Sequence, residues 1–413
     1  NEYIKQSENF EKLIGINCSY NYNNEIIFST ISLQNQPNYN KLSEINWKIK
    51  NDTTIRKIFS FENPENKTKK ILTQDVNNYI CLHQADGTIQ EYKKHTQLKG
   101  WPKKIGSKIL GEISVINYYN NTKRQILFNT KDSLYIIDIY GEYIENYPKK
   151  LKSNTNYGHT LINYKENNWS MHHEQLYRIL IKENNTINNY SKEGNIVPGW
   201  KFKTKLQDML NPNIIYKTII KKNKNLDYIY IADNDGNIYI LKRNGNNRVK
   251  INKEIPISNR NNFYVDDEGN IFSSSINGSI FKTDLKGDVE LLYENNFTKK
   301  HLFIKADNEN KFICVDENKI FLFENNNKKN IYKISNLDAE KINLFLDDEK
   351  NTYIVIQDNK NENIHLIKYS EQKVESHLKF KGNNFSTIND LNNDNKIDIT
   401  ISNNNYIINH SLK

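Results

Sequence analysis

Residues 226–245 read LDYIYIADNDGNIYILKRNG. A β-branched and aromatic run (226–232) leads into the turn cluster 233–237. A second apolar run (238–241) then meets a second turn at Asn244-Gly245. Asp-Gly and Asn-Gly between apolar runs specify tight hairpins, because the turn residues must accept positive φ. Two such hairpins in succession predict an antiparallel sheet of short strands.

The layout recurs along the chain. Runs 71–74 and 79–83 end on Asp86-Gly87, and 125–129 and 133–138 end on Tyr140-Gly141. Runs 176–181 and 187–190 end on Glu193-Gly194, and 270–273 and 279–283 end on Lys286-Gly287. The same turn then falls on Asn325-Asn326 and Tyr369-Ser370. From Gly87 onward the steps are 54, 53, 51, 42, 39 and 44 residues. That spacing suits blades of four short strands with variable loops, and no helical period competes with it. The fold expected is all-β, a single β-propeller domain over 1–413 with seven to eight four-stranded blades. Seven blades fall near 55–101, 113–148, 160–200, 212–252, 260–293, 301–335 and 341–379. A closing blade is expected from 13–50 with 385–410, sealing the ring by pairing N- and C-terminal strands, which removes exposed sheet edges.

A second repeat follows the turn. Gly100-Trp101-Pro102-Lys103-Lys104 returns as Tyr147-Pro148-Lys149-Lys150 and more loosely as Pro198-Gly199-Trp200-Lys201. Trp101, Tyr147 and Trp200 are expected to pack at equivalent places between neighbouring blades, with proline at a strand end or edge.

Composition narrows the function classes. The 413 residues carry 58 Lys and Arg against 49 Asp and Glu, a net charge of +9, and mean hydropathy is −0.81. The polarity comes from Asn and Lys, while 26 Tyr and 17 Phe argue against disorder. The cations form scattered lysine pairs and arginine is sparse, a solvated pattern that disfavours nucleic acid as partner. Cys18, Cys81 and Cys314 are too few and too far apart for a disulfide framework. Cys81 and Cys314 lie in apolar runs and read as small buried hydrophobes. No stretch has the apolar length of a membrane-spanning helix. The chain starts at Asn1, which is compatible with a mature or trimmed product.

The sharpest chemical motif is Asp390-Leu391-Asn392-Asn393-Asp394-Asn395-Lys396-Ile397-Asp398. Oxygen-bearing side chains at loop positions 1, 3, 5 and 9 match the needs of calcium, a hard cation that takes six to eight oxygens. Asn395 stands at the sharp turn, where asparagine tolerates the left-handed conformation. The loop resembles the calcium repeats of integrin-type (FG-GAP-like) propellers. That resemblance implies Asp390, Asn392, Asp394 and Asp398 as side-chain ligands and the Lys396 carbonyl as a fifth, around one structural calcium. The wider pattern resembles quinoprotein-like (PQQ-like) propeller repeats, found in cofactor-dependent dehydrogenases and in an outer-membrane assembly lipoprotein. It is also similar to envelope-associated bacterial propellers.

Other motifs point to structure. His172, His173 and Glu174 sit in a loop insertion, and adjacent strand residues face opposite sides. Asp233, Asp235, Asp266, Asp267, Asp347 and Asp348 are acidic pairs on turns. No nucleophile-elbow, zincin or P-loop pattern occurs.

The expected function is a non-catalytic binding or assembly scaffold for a protein partner. It is expected as a monomeric ring or a subunit of a larger complex, exported or envelope-associated on the periplasmic side. The alternative is a propeller-class enzyme, a hydrolase or quinone-dependent dehydrogenase, which requires convergent acids, histidines or a metal in the funnel.

Overall fold

The computed structural model describes residues 13–23, 26–35, 43–64, 66–90, 100–121, 123–164, 176–203, 209–221, 224–233, 235–251, 254–258, 260–306, 311–324, 327–346, 351–370, 373–388 and 390–412. The motif His172-His173-Glu174, the turn Asn325-Asn326 and the pair Asp347-Asp348 lie outside them. Two compact units are present. In the smaller, within 1–44 and 412–413, Leu13–Asn23 pairs antiparallel with Ile26–Asn35. The larger, 45–411, holds the propeller.

Eight antiparallel sheets form the blades. In order they span 55–104, 110–150, 160–191, 209–250, 264–293, 302–333 and 339–381, and blade 8 joins 384–412 to Ser43–Lys50. Seven have four strands. Blade 3 shows three among the described residues, Thr160–Tyr164, Leu176–Glu183 and Thr186–Ser191, with one further bridge from Tyr190 to Ile196. Of the 13–50 region assigned to the closing blade, only Ser43–Lys50 joins it; the two preceding strands pair with each other instead.

First strands of neighbouring blades touch between blades 8 and 1, 1 and 2, 3 and 4, 4 and 5, and 6 and 7, and the cores between blades bury the central β-runs on both faces. Blade 1 shares with blade 2 a core of Phe59, Leu72, Leu82, Trp101, Phe128 and Tyr135. Equivalent cores join blade 2 to 3 through Ile136 and Ile179, 3 to 4 through Leu180 and Ile229, and 4 to 5 through Tyr230 and Phe263. Blades 5 and 6 meet at Phe272 and Phe312, and 6 and 7 at Ile313 and Ile354. Phe380 lies 4.5 Å from the His410 ring between blades 7 and 8, and Leu391 and Ile58 close blade 8 on blade 1. The Ser60 N–H donates to Ser386 Oγ at 2.8 Å across that last seam.

The turn glycines do two jobs. Gly141 has φ +81°, and a Cβ there would stand 2.5 Å from the Gly100 carbonyl of the preceding blade. Glycine is therefore required both by the turn and by the close approach of blade 1. Beside these turns the expected aromatic staples appear. The Trp101 indole N–H donates to the Ile139 carbonyl of blade 2 at 2.9 Å, and the Tyr147 hydroxyl donates to the Lys192 carbonyl of blade 3 at 2.6 Å. Trp200 differs: its indole donates within its own blade, to the Ile187 carbonyl at 2.9 Å, while its ring meets Gly245 of blade 4. Trp47 of blade 8 repeats the staple on the Ala85 carbonyl of blade 1 at 2.8 Å. No proline or lysine pair follows it, so the sequence repeat does not reveal it.

Candidate functional site

The loop Asp390–Asp398 joins the first and second strands of blade 8. Its tightness follows from local side-chain bonds. Asp390 Oδ1 and Oδ2 accept from the N–H groups of Asp394 and Asn395, each at 3.0 Å, and Asp394 Oδ1 accepts from Lys396 N–H at 3.0 Å. Asn393 and Asn395 take positive φ (61° and 64°). Asp398 begins the second strand and is buried. It accepts from Leu391 N–H (2.6 Å), Ser411 Oγ (2.9 Å) and Asn46 Nδ2 (3.0 Å). The loop brings oxygens of Asp390, Asp394 and Asp398 within 4.8 Å of one another. Burial raises the Asp398 carboxyl above its ordinary value, and the neighbouring Asp394 and Asp390 charges add to the rise. Asn392 sits at the rim, its Nδ2 donating to Asp394 Oδ2 at 3.2 Å. The donor set is all oxygen and mostly anionic, which fits a hard divalent cation.

Lys69 of blade 1 donates to the Asp390 carbonyl and to Asn393 Oδ1 (3.2 Å). Its neighbour Lys70 points the other way, as strand neighbours do. Lys70 donates to Gln90 Oε1 at 2.6 Å and Gln84 Oε1 at 3.4 Å. There it lines a groove of about 890 Å³ between blades 1 and 2, on the rim that also carries the blade 8 loop. Burial lowers the Lys70 ammonium, with Asp86 partly opposing. Phe61, Tyr119, Tyr140 and Tyr143 supply aromatic surface, Asn63, Asn66 and Asn121 supply amides, and Lys123 and Arg124 supply charge. Tyr119 is 52% exposed, and Lys103 stands 4.0 Å over the Tyr143 ring. Asp138, an acid in the lining, caps its own turn by accepting from the N–H groups of Tyr140 (2.8 Å) and Glu142 (2.9 Å). Asp233 and Asp266 repeat that cap in blades 4 and 5, at 2.9 Å from Asn237 N–H and 2.8 Å from Asn270 N–H. The groove escapes sequence reading because its two walls come from successive repeats, with equivalent positions such as Lys70 and Arg124 lying 54 residues apart.

At the starts of the first strands, basic side chains meet acids. Lys341 of blade 7 reaches Glu112 of blade 2 at 3.8 Å, and Arg260, just before blade 5, reaches Glu340 of blade 7 at 3.6 Å. Lys57 of blade 1 donates to the Gly111 carbonyl at 3.1 Å. Its ammonium is lowered foremost by burial, with Glu112 opposing and Lys341 and Lys108 adding to the fall.

Hydroxyl–imidazole contacts recur among the described residues, at Thr73–His83 (3.2 Å) and Ser274–His301 (3.3 Å), and the shortest of them lies between blades 2 and 3. Ser114 Oγ lies 2.9 Å from His159 Nε2, and His159 Nδ1 lies 3.3 Å from Asn129 Oδ1. Asn129 Nδ2 donates to the Thr130 and Tyr157 carbonyls, so its oxygen faces the histidine and fixes the Nδ1–H tautomer. Yet Asn129 mainly clamps backbone, accepting from His159 N–H at 2.8 Å. Gln74 does the same one blade earlier, donating to the Ser107 carbonyl and accepting from Ile109 N–H. Burial depresses His159 to about 4. Cys81 and Cys314 are buried as expected. Burial pushes the Cys81 thiol up to about 12 and the Cys314 thiol higher than its ordinary value, which keeps both as thiols. The side chain of Cys18 lies outside the described residues.

No protein-family model and no curated protein matches the chain by sequence. Solved structures match it by fold. The Dos1 propeller aligns at TM-score 0.56 and 13% identity, covering 90% of this chain and 97% of that one. The WD40 domain of SCAP from fission yeast aligns at TM-score 0.50 and 10% identity, covering 97% and 98%. A quinoprotein alcohol dehydrogenase-like protein from Bacteroides thetaiotaomicron reaches TM-score 0.42 at 16% identity, covering 88% and 81%. At such identities the likeness is one of fold.

Proposed function

We propose that this propeller is a non-catalytic scaffold that binds a protein partner, with an extended segment of that partner lying in the groove between blades 1 and 2. The groove itself carries the reading. Exposed tyrosine, amide side chains and long cations around a concave floor suit a polypeptide backbone and its side chains. Propellers hold such loops on a rigid ring, so the groove is formed before the partner arrives. The SCAP WD40 domain and the Dos1 propeller share the architecture and no more. The cell-envelope setting is carried by the repeat's resemblance to envelope-associated propellers. The test is a photo-crosslinking residue at Tyr119 or Asn121 in native cells, with Lys329 on the outer edge of blade 6 as control. A discrete crosslinked protein at the groove positions alone, recovered with the envelope fraction, is expected. Equal crosslinking at Lys329 overturns the groove, and recovery in the soluble fraction alone overturns the envelope setting.

A structural calcium in the Asp390–Asp398 loop is part of the same proposal. Asp390, Asp394 and Asp398 would hold the ion with Asn392 and the Lys396 carbonyl. Its chemistry there is charge neutralisation, which stiffens the closing blade next to Lys69 and the groove.

A second reading, a propeller-class hydrolase, draws on the Ser114–His159–Asn129 contact. The depressed basicity of His159 and the backbone role of Asn129, shared with Gln74, weigh against it. Ser114→Ala separates the two. A scaffold keeps partner binding, whereas a hydrolase loses turnover of ester and peptide probes by orders of magnitude.

A further inference from the structure

The geometry points to a second docking surface: the outer edge of blade 5, strand Val289–Tyr293, accepts an extended segment of a partner protein in which apolar residues alternate with lysine or arginine. The observation is a contrast within the molecule. An outermost strand offers a row of unpaired N–H and C=O groups, and proteins guard such edges with charge, lysine above all. Every other described fourth strand does so. Blade 1 ends on Lys103–Lys104 and blade 2 on Lys149–Lys150. Blade 4 carries Arg248 and Lys250, and blade 6 carries Lys328, Lys329 and Lys333. Blade 7 carries Lys373, Lys379 and Lys381, and blade 8 carries Lys48 and Lys50. Blade 5 reads Val-Glu-Leu-Leu-Tyr, with no cation at all. Val289 is 37% exposed and Leu291 49%, one residue either side of exposed Glu290.

Charge selects the occupant. Asp284, Asp288, Glu290 and Glu294 surround this edge, against Lys282, cross-strand from Glu290, Lys286 in the turn, and Lys328 of blade 6, which donates to Asn295 Oδ1 at 2.8 Å beside Glu294. The patch is thus acidic and apolar in a chain of net charge +9. A second copy is a poor occupant. Antiparallel self-pairing centred on Leu291 would set Asp288 opposite Glu294 of the other copy twice, and like charges directly opposite are destabilising. A basic, apolar-alternating strand meets both features. Its backbone extends the sheet of blade 5 and its cations meet the carboxylates, while alternate side chains cover Val289 and Leu291.

The test uses the full chain and two acetylated hexapeptides, one alternating lysine with valine and one alternating glutamate with valine, followed by fluorescence anisotropy and amide hydrogen exchange. The lysine peptide is expected to bind at least about tenfold more tightly than the glutamate peptide and to slow exchange over 289–293. The double substitution Val289→Lys with Leu291→Lys, both on the exposed edge, is expected to abolish binding with an unchanged melting temperature. No binding, equal binding of both peptides, or binding untouched by the double substitution overturns the proposal. So does concentration-dependent self-association that the double substitution removes, since the occupant would then be a second copy. None of these outcomes bears on the groove between blades 1 and 2.

Discussion

The Trp101 indole of blade 1 donates to the Ile139 carbonyl of blade 2 at 2.9 Å, from a side chain only 1% exposed. This contact joins sequence repeat to ring geometry. The tryptophan fills the seam, and its N–H satisfies a carbonyl of the neighbouring turn. Trp101→Ala should cost about 3–5 kcal/mol through the cavity it leaves. Trp101→Phe keeps much of the packing and should cost about 1–3 kcal/mol, chiefly by orphaning that carbonyl. Urea unfolding of the two variants gives the ordering; equal losses would show that the ring packing contributes nothing, and an unchanged Trp101→Phe that the hydrogen bond contributes nothing.

Gly141 should tolerate no side chain. Its φ of +81° and the Gly100 carbonyl, 2.5 Å from where a Cβ would lie, both oppose Gly141→Ala. The loss should exceed about 1 kcal/mol. Gly199 has a similar φ of +78° with nothing within 4 Å, so Gly199→Ala should cost less. Thermal melts of the pair separate backbone strain from steric collision.

Stability should fall with acid below neutrality. His83 and His159 are held near 4 against an ordinary 6.5, both foremost by burial; for His83 the Gly87 carbonyl partly opposes. Between those values the unfolded chain binds more protons than the folded one, so stability rises with pH across that window and is lost as pH drops through it. Each such histidine contributes up to about 1.4 kcal/mol per pH unit. The raised Asp398 carboxyl acts in the opposite sense at the low end, because there the folded chain binds the extra proton. Urea midpoints at about pH 7 and about pH 4.5 measure the slope; His83→Gln should flatten it.

Calcium should stabilise the fold through the blade 8 loop. With free ion about a hundredfold above its dissociation constant, the gain is about 2.7 kcal/mol. Chelator should lower the melting temperature, and Asp390→Asn with Asp394→Asn should remove the difference. An identical melt with calcium and with chelator counts against an ion in the loop.

Much of the architecture was written in the turns. Gly87, Gly141, Gly194, Gly245 and Gly287 all take positive φ, so their spacing reports the blades directly. The blade count settles at eight. The fate of residues 13–35 was not legible, because a strand pattern shows that a segment pairs but not with whom. Trp47 was missed for a related reason: its role depends on Ala85, which no local pattern announces. In the candidate site, the acids of the 390–398 loop were readable because a loop gathers near neighbours. The groove was not, since Lys70 and Arg124 become neighbours only once two blades stand side by side.

Blade 8 is sealed by chain segments from opposite ends, and Asn46 Nδ2 donates to Asn409 Oδ1 at 2.8 Å across 363 positions of sequence. During synthesis the earlier of these strands leaves the ribosome long before its mate exists. Seven blades must therefore stand as an unclosed arc with bare flanks until residues 384–412 emerge and decide whether the circle locks. Deletion of residues 384–412 should consequently cost more than its length suggests, exposing two sheet edges for the loss of one.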